Sequence, residues 1–456
     1  MSLQVFNPYN QSIVCTLPYD RGEKLNQKIA NAQQAYQQWH LVPIEQRIKQ
    51  VAKGLFYFRT HSEEIACEIT CQMGKPIREA RREVETFFER ADYMLSIGKQ
   101  TLSPDVLPKK IGFHRQIEHA PLGPILNIAA WNYPLLIPVN IIIPALISGN
   151  TVLLKHSPRT PLCGKRFEEA FGNLTTFPLV QNLILTNAQT SRLMSDPRIQ
   201  YVAFTGSVST GRHVYQRAAK RLLPVGLELG GKDASYVAED ADIQFAVENL
   251  VDGACYNAGQ SCCSVERVYV HKKQYAEFLK RAKPILKQYK LGDPMSDETT
   301  LGPLVSGSDL VKLEAQIADA LKRGARLLYG GKRQQNFFLP TLLSNVPNDA
   351  IIMQEESFGP IVSVKMVRDD EEALALMSDS RYGLTAAIFT ESNLRAKRFA
   401  RELPVGTVYQ NRCDYLDPAL PWTGVKESGM GSTLSRYGFY ALTRRKSIHF
   451  RVTGRP

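Results

Sequence analysis

The chain reads as a layered α/β protein, and three observations predict it. Apolar residues recur at helical spacing from about residue 23 to residue 100. Two runs, 121–128 and 150–155, are dominated by apolar residues, as in strands covered on both faces. Beyond Cys263, strand-like and helix-like stretches alternate along the chain. At 456 residues the chain is long enough for two or three domains and a large core.

In order, Asn7-Pro8-Tyr9-Asn10 is a turn and 11–17 a short strand. Ala30, Ala32, Ala35 and Trp39 begin the helical spacing, and Ile48, Val51, Leu55 and Phe58 continue it. Gly74-Lys75-Pro76 breaks it, and Val84, Phe87, Phe88 and Tyr93 resume it. These helices read as packing and solvent faces without chemistry. Residues 103–121 alternate as a strand does (Ile111, Phe113, Arg115, Ile117), a pattern that a surface hairpin would also give.

The strand at 121–128 delivers Trp131-Asn132-Tyr133-Pro134 and opens a helix over 134–148. Ligands bind at the carboxyl ends of such strands. There the Asn132 amide suits an oxygen that becomes anionic when a thiolate attacks a carbonyl, or else it caps the helix. A second buried strand ends in Lys155. Residues 201–211 read strand, glycine turn, helix, an arrangement whose N–H groups bind phosphate, although no Gly-x-Gly-x-x-Gly occurs. Later come a strand at 265–270, helices at 274–288 and 308–323, the turn Glu355-Glu356-Ser357-Phe358-Gly359-Pro360, a long stretch over 406–432 and a strand at 447–452.

Two stretches carry the chemistry. In Asn257-Ala258-Gly259-Gln260-Ser261-Cys262-Cys263 a cysteine follows a glycine turn, the open polar setting that a reactive thiolate needs. Thirty-four positions upstream, Glu228 stands among apolar residues and runs into Gly230-Gly231. Desolvation of that carboxylate raises its pKa and suits it to act as a general base. Either feature alone has a plain structural reading, a buried small hydrophobe or a loop carboxylate.

Together, in this order, Leu227-Glu228-Leu229-Gly230-Gly231-Lys232 and Gly259-Gln260-Ser261-Cys262 resemble the signatures of the aldehyde dehydrogenase superfamily. The Trp131-Asn132-Tyr133-Pro134, Phe204-Thr205-Gly206-Ser207 and Glu355-to-Pro360 stretches resemble further motifs of that family, from about Asn7 to Arg451. The resemblance implies an aldehyde dehydrogenase-like α/β fold: a Rossmann-type cofactor domain (1–102 and 122–230), an α/β catalytic domain (231–435), and a small β oligomerisation flap (103–121 and 436–456). It implies NAD(P)-dependent, non-acylating oxidation of an aldehyde, with succinate semialdehyde as one candidate substrate. Cys262 is then the nucleophile, Glu228 the base and Asn132 the oxyanion donor. Lys155, Gly206, Ser207, Trp131, Glu356 and Phe358 contact NAD, with NADP the alternative. A glutamate three residues after the lysine is common in members that prefer NAD. Here Lys155-His156-Ser157-Pro158-Arg159 lacks it, which removes a repulsion toward a 2′-phosphate. Arg412, Asp414 and Tyr415 are candidates for substrate selection. The variant Leu420-Pro421-Trp422-Thr423-Gly424 stands where the family has Pro-Phe-Gly-Gly. A homodimer or homotetramer is also implied.

Other classes fit less well. The net charge of +12 is spread over separated Lys and Arg pairs without a nucleic-acid motif, so a solvated surface is expected rather than a polyanion partner. Eight cysteines without Cys-x-x-Cys spacing predict neither a disulfide framework nor a metal site. The most apolar run, 134–147, is short and interrupted by Pro138, Asn140 and Pro144, and no charged-then-apolar leader opens the chain. A cytoplasmic protein with no membrane partner is expected.

Overall fold

The computed structural model describes residues 2–452. A strand not expected from the sequence, Ser2–Phe6, pairs antiparallel with Ile13–Pro18. The helical region resolves into Gly22–Trp39, Ile44–Thr60, Ser62–Met73 and Ile77–Thr101. The break falls where expected: Gly74 closes the third helix at φ +76, and Pro76 directly precedes the fourth.

Two large sheets follow. In the first, the strand order is Gly429–Met430, Val225–Glu228, Tyr201–Thr205, Pro124–Ile128, Thr151–Lys155, Val180–Asn182, all parallel except the first pair. Pro124–Ile128 lies between Thr151–Lys155 and Tyr201–Thr205, so chain order reverses there and the outgoing loops part to open a crevice. The second sheet runs Arg326–Tyr329, Thr341–Ser344, Ile361–Val367, Val265–His271, Asp233–Val237, Thr385–Phe389, Thr407–Gln410. Only its first pair is antiparallel.

The strands Pro124–Ile128, Thr151–Lys155 and Val265–His271 are buried at every residue, which explains their apolar runs. Helix Leu136–Ser148 is buried all round except at Ile137, so it has no polar face. Among the described residues no helix is long and apolar enough to cross a membrane.

Phe113–Pro121 pairs antiparallel with Thr443–Arg451 over nine residue pairs and carries Asp105–Val106 on its other edge. The partner of the 103–121 region is therefore chiefly the far end of the chain, and a hairpin alone does not describe it. Ile111 falls outside the strand and is exposed. Met1 and residues 453–456 of the expected segments lie outside the described residues.

Candidate active site

Helix Ile243–Cys255 runs into a turn in which Asn257, Ala258 and Gly259 all adopt left-handed backbone angles, with φ of 51, 55 and 70°. For the two residues with side chains this costs about 1–2 kcal/mol each, so surrounding contacts must hold it. The Asn257 N–H donates to Glu79 Oε2 at 2.9 Å. Its Nδ2 donates to the carbonyls of Asn132 and Gln260, both at 3.1 Å. A Cβ on Gly259 would stand 2.3 Å from the Gly359 carbonyl, so this turn is pressed against the loop carrying Glu356 and Phe358. Cys262 emerges from it partly exposed and Cys263 buried. Asp414 Oδ1 accepts from Ser261 Oγ at 3.0 Å and from Cys263 Sγ at 2.9 Å. The hydrogen bond between Cys263 and Cys262, together with burial, pushes the Cys263 thiol well above the usual range.

Cys262 and Glu228 line one cavity of about 790 Å³. Glu228 ends its strand with its carbonyl accepting from Gly206 N–H at 3.1 Å. In its side chain Oε1 accepts from Thr433 Oγ1 at 3.4 Å, and Oε2 has no partner among the described residues. The side chain faces the cavity but is packed in by protein, and this desolvation pushes its carboxyl well above the usual range.

Asn132 is 4% exposed. It is not the helix cap, since Leu135 holds that position without a side-chain bond. Its carbonyl accepts from Lys75 Nζ at 2.9 Å, and its own side-chain amide enters no described hydrogen bond. Lys75 forms a buried ion pair with Glu83, whose Oε1 accepts from Leu135 N–H at 2.9 Å. The Lys75 ammonium also lies 4.2 Å above the Tyr133 ring. The helical region expected to carry only packing and solvent faces therefore supports this site. Lys75, Glu79 and Glu83 hold its two turns, and Arg82 and Arg90 line the cavity. A lysine between glycine and proline at a helix break was the one local signal.

Trp131, Lys155, Gly206 and Ser207 follow the carboxyl ends of three adjacent strands. Lys155 is 5% exposed, has no described side-chain partner, and is pushed down to about 8 by burial. A Cβ on Gly206 would meet the Phe204 ring at 2.6 Å, so only glycine leaves that turn clear. Ser207 caps helix Val208–Ala219, accepting from Thr210 N–H at 3.4 Å, and is exposed. Across the crevice, Glu356 Oε1 accepts from Gly231 N–H at 3.2 Å, and burial raises its carboxyl to about 7. Phe358, at φ +60, meets Trp131 edge-on with ring centroids 5.7 Å apart. Its N–H donates to the buried Glu266 at 2.9 Å, and the Ser357 N–H donates to the same carboxylate at 2.7 Å. A cleared turn at a helix start and, across one intervening strand, a buried ammonium with no partner among the described residues fit a dinucleotide phosphate and ribose.

Arg159 is turned inward, donating to the Val305 carbonyl at 3.1 Å with its guanidinium 5.8 Å from the Trp131 ring centre. Arg412 and Tyr415 both line the cavity, with the exposed Arg412 guanidinium 3.4 Å over the Tyr415 ring.

The aldehyde dehydrogenase family model matches residues 1–448. The chain is 35% identical over 446 residues to a succinate-semialdehyde dehydrogenase [NADP(+)] of Deinococcus radiodurans, covering 97% of this chain and 93% of that one. It is 30% identical over 453 residues to lactaldehyde dehydrogenase of Escherichia coli, covering 98% and 95%. The solved structure of succinic semialdehyde dehydrogenase from Streptococcus pyogenes in complex with NADP+ superposes with a TM-score of 0.94 at 31% identity, covering 98% of this chain and 100% of that one. With its two sheets, its cysteine and glutamate on one cavity and a match along nearly its whole length, the chain belongs to the aldehyde dehydrogenase family, as an NAD(P)-dependent oxidoreductase acting on aldehydes.

Proposed function

We propose that Cys262 is the nucleophile, Glu228 the base, and Asn132 with the Cys262 backbone N–H the oxyanion site for oxidation of an aldehyde to its acid. The Cys262 thiolate adds to the carbonyl carbon and the π pair moves onto oxygen, where the Asn132 amide and the Cys262 N–H donate to it. NAD or NADP, when bound, supplies the hydride acceptor that takes the thiohemiacetal to a thioester. Glu228 as carboxylate then takes a proton from water while that water attacks the thioester carbon. The C–S bond breaks and the acid leaves. One observation carries this reading: a Glu228 oxygen without a partner among the described residues shares a cavity with a partly exposed Cys262.

In this reading Lys155 reaches the adenosine ribose, Gly206 and Ser207 the pyrophosphate, Glu356 the second ribose, and Phe358 and Trp131 flank the nicotinamide. The absence of a carboxylate at Pro158 leaves room for NADP as well as NAD. The relatives named above differ in their aldehydes, and succinate semialdehyde is one case of the proposed reaction. The division into cofactor domain (1–102, 122–230), catalytic domain (231–435) and flap (103–121, 436–456) belongs to the same proposal, with one crossing, since Gly429–Met430 joins the first sheet. Thr443–Arg451 is an edge strand with Phe450 61% exposed, which supports pairing with a second copy in a homodimer or homotetramer. Eight free cysteines support the reducing cytoplasm.

The test is the near-ultraviolet absorbance of reduced cofactor with purified protein, a panel of aldehydes, NAD and NADP in parallel, and no coenzyme A. Sustained turnover that Cys262→Ala abolishes supports the assignment, and turnover that survives Cys262→Ala refutes it.

A further inference from the structure

Helix Ile77–Thr101 forms one wall of the cavity that holds Cys262 and Glu228. On that wall Arg90 is 6% exposed and enters no described ion pair. Its Nη1 makes two long contacts, 3.3 Å to Asn140 Oδ1 and 3.4 Å to the Leu136 carbonyl. Its Nε is buried with no partner among the described residues, and no described hydrogen bond engages Nη2. No acid pairs with it among the described residues, although Glu85, Glu89 and Asp252 line the same cavity in no described ion pair of their own. Glu83 gives one oxygen to Leu135 N–H and the other to Lys75. Asp414 accepts from Ser261 and Cys263. Burial holds Glu228 toward its protonated form.

A buried guanidinium without an anion is costly, because it has left water and gained only weak neutral acceptors. Burial accordingly lowers the Arg90 pKa, which marks the cation as under-compensated. Nε is covered by protein, whereas Nη2 belongs to a residue that lines the cavity and keeps its N–H donors for a carboxylate oxygen. Arg412, the arginine that the sequence offered for this task, is stacked on Tyr415 and exposed.

We propose that Arg90 is the specificity-determining residue of the cavity, and that its substrate is an aldehyde carrying a carboxylate at the end away from the carbonyl, received on Nη2. The proposal rests on Cys262 being the nucleophile of the same cavity. The carboxylate replaces the missing counter-ion, and the carbonyl is left free to reach Cys262. An uncharged aldehyde of equal length buries the same hydrocarbon but leaves the guanidinium unpaired.

The test compares kcat/KM for succinate semialdehyde and butanal, which share a carbon count and differ in the charged end. Wild type is expected to favour the charged aldehyde about 100-fold, the scale of a desolvated charge pair. Arg90→Gln is expected to collapse that ratio toward one, mainly by raising KM for the charged substrate. Arg90→Lys, which keeps the charge without the planar guanidinium, should fall between. A wild-type enzyme without preference for the charged aldehyde overturns the proposal, and that measurement needs no variant to fold. Arg90→Gln slowing both aldehydes equally, chiefly in kcat, assigns the guanidinium to the Cys262 thiolate or to the fold and also overturns it. Failure of the Cys262 reading looks different: turnover of both aldehydes survives Cys262→Ala, or no reduced cofactor forms from either.

Discussion

Thr433 engages only one oxygen of Glu228: its hydroxyl donates to Oε1 at 3.4 Å, while Oε2 has no partner among the described residues. Desolvation outweighs this single long bond, and the carboxyl titrates well above its ordinary range.

Glu228 is therefore expected to give kcat a dependence that rises with pH through its elevated pKa, because only the carboxylate accepts the proton of water. Glu228→Gln should lower steady-state turnover about 10³-fold and leave a burst of one reduced cofactor per site. Rapid mixing reads the burst. In the fold, the raised pKa favours the protonated form, so the Glu228 contribution to stability is intact below the ordinary carboxyl range and is lost as pH rises toward the folded pKa. Melting curves should show Glu228→Gln gaining on wild type between mildly acidic and alkaline pH.

The Lys75–Glu83 pair should be fragile to single replacement. Lys75→Met leaves Glu83 charged and buried and removes a donor to the Asn132 carbonyl, at a cost of about 3–5 kcal/mol. Lys75→Met with Glu83→Gln should recover part of the stability but not the full kcat, since the turn bearing Asn132 remains unanchored. Denaturant titrations alongside kcat check both, and a fully stable Lys75→Met would contradict the account.

Gly259→Ala combines a left-handed φ of +70° with a Cβ placed 2.3 Å from the Gly359 carbonyl. Two backbones meet there, so neither can yield cheaply. The substitution should destabilise by about 3 kcal/mol or abolish soluble expression, and any enzyme recovered should show impaired cofactor KM, because Phe358 adjoins the contact. Binding of NAD and NADP followed by calorimetry provides the check.

Asp414→Ala should remove the acceptor shared by the Ser261 hydroxyl and the Cys263 thiol, leaving them only their long 3.5 Å contact with each other and the Cys262 thiol, at a cost of about 1–3 kcal/mol. Asp414→Asn keeps an acceptor and should cost less. If the two variants melt alike, these hydrogen bonds do not position the nucleophile turn.

The reading of Cys262 and Glu228 as neighbours came from two short stretches, and the structure sets both on one cavity. The buried strands were equally legible, because a strand covered on both faces must be apolar throughout. Helix Ile77–Thr101 was legible as a helix but not as a cavity wall. Periodicity separates a buried face from a polar one, and Arg82, Glu85 and Glu89 satisfy a solvent face as well as they satisfy the rim of a cavity. The same limit hid Arg90, which is an ordinary charged residue until the fold shows it buried with no ion pair among the described residues. Residues 103–121 left two partners open because strand alternation carries no address. Only pairing with Thr443–Arg451 supplied it.

By itself, then, the sequence determined the layered α/β class, the turns that present Asn132, Gly206 and Cys262, and the apolar setting of Glu228. These depend on backbone angles and local burial, which neighbouring residues encode. Tertiary structure alone decided that Lys75 and Glu79 brace the turns of Asn132 and Asn257, that Arg412 stacks on Tyr415, and that Arg90 stands buried without a counter-ion among the described residues. Whether a charge is paired or solvated depends on what folds against it, and for Lys75, Glu79 and Arg90 the neighbours Asn132, Asn257 and Asn140 lie 50 or more residues away.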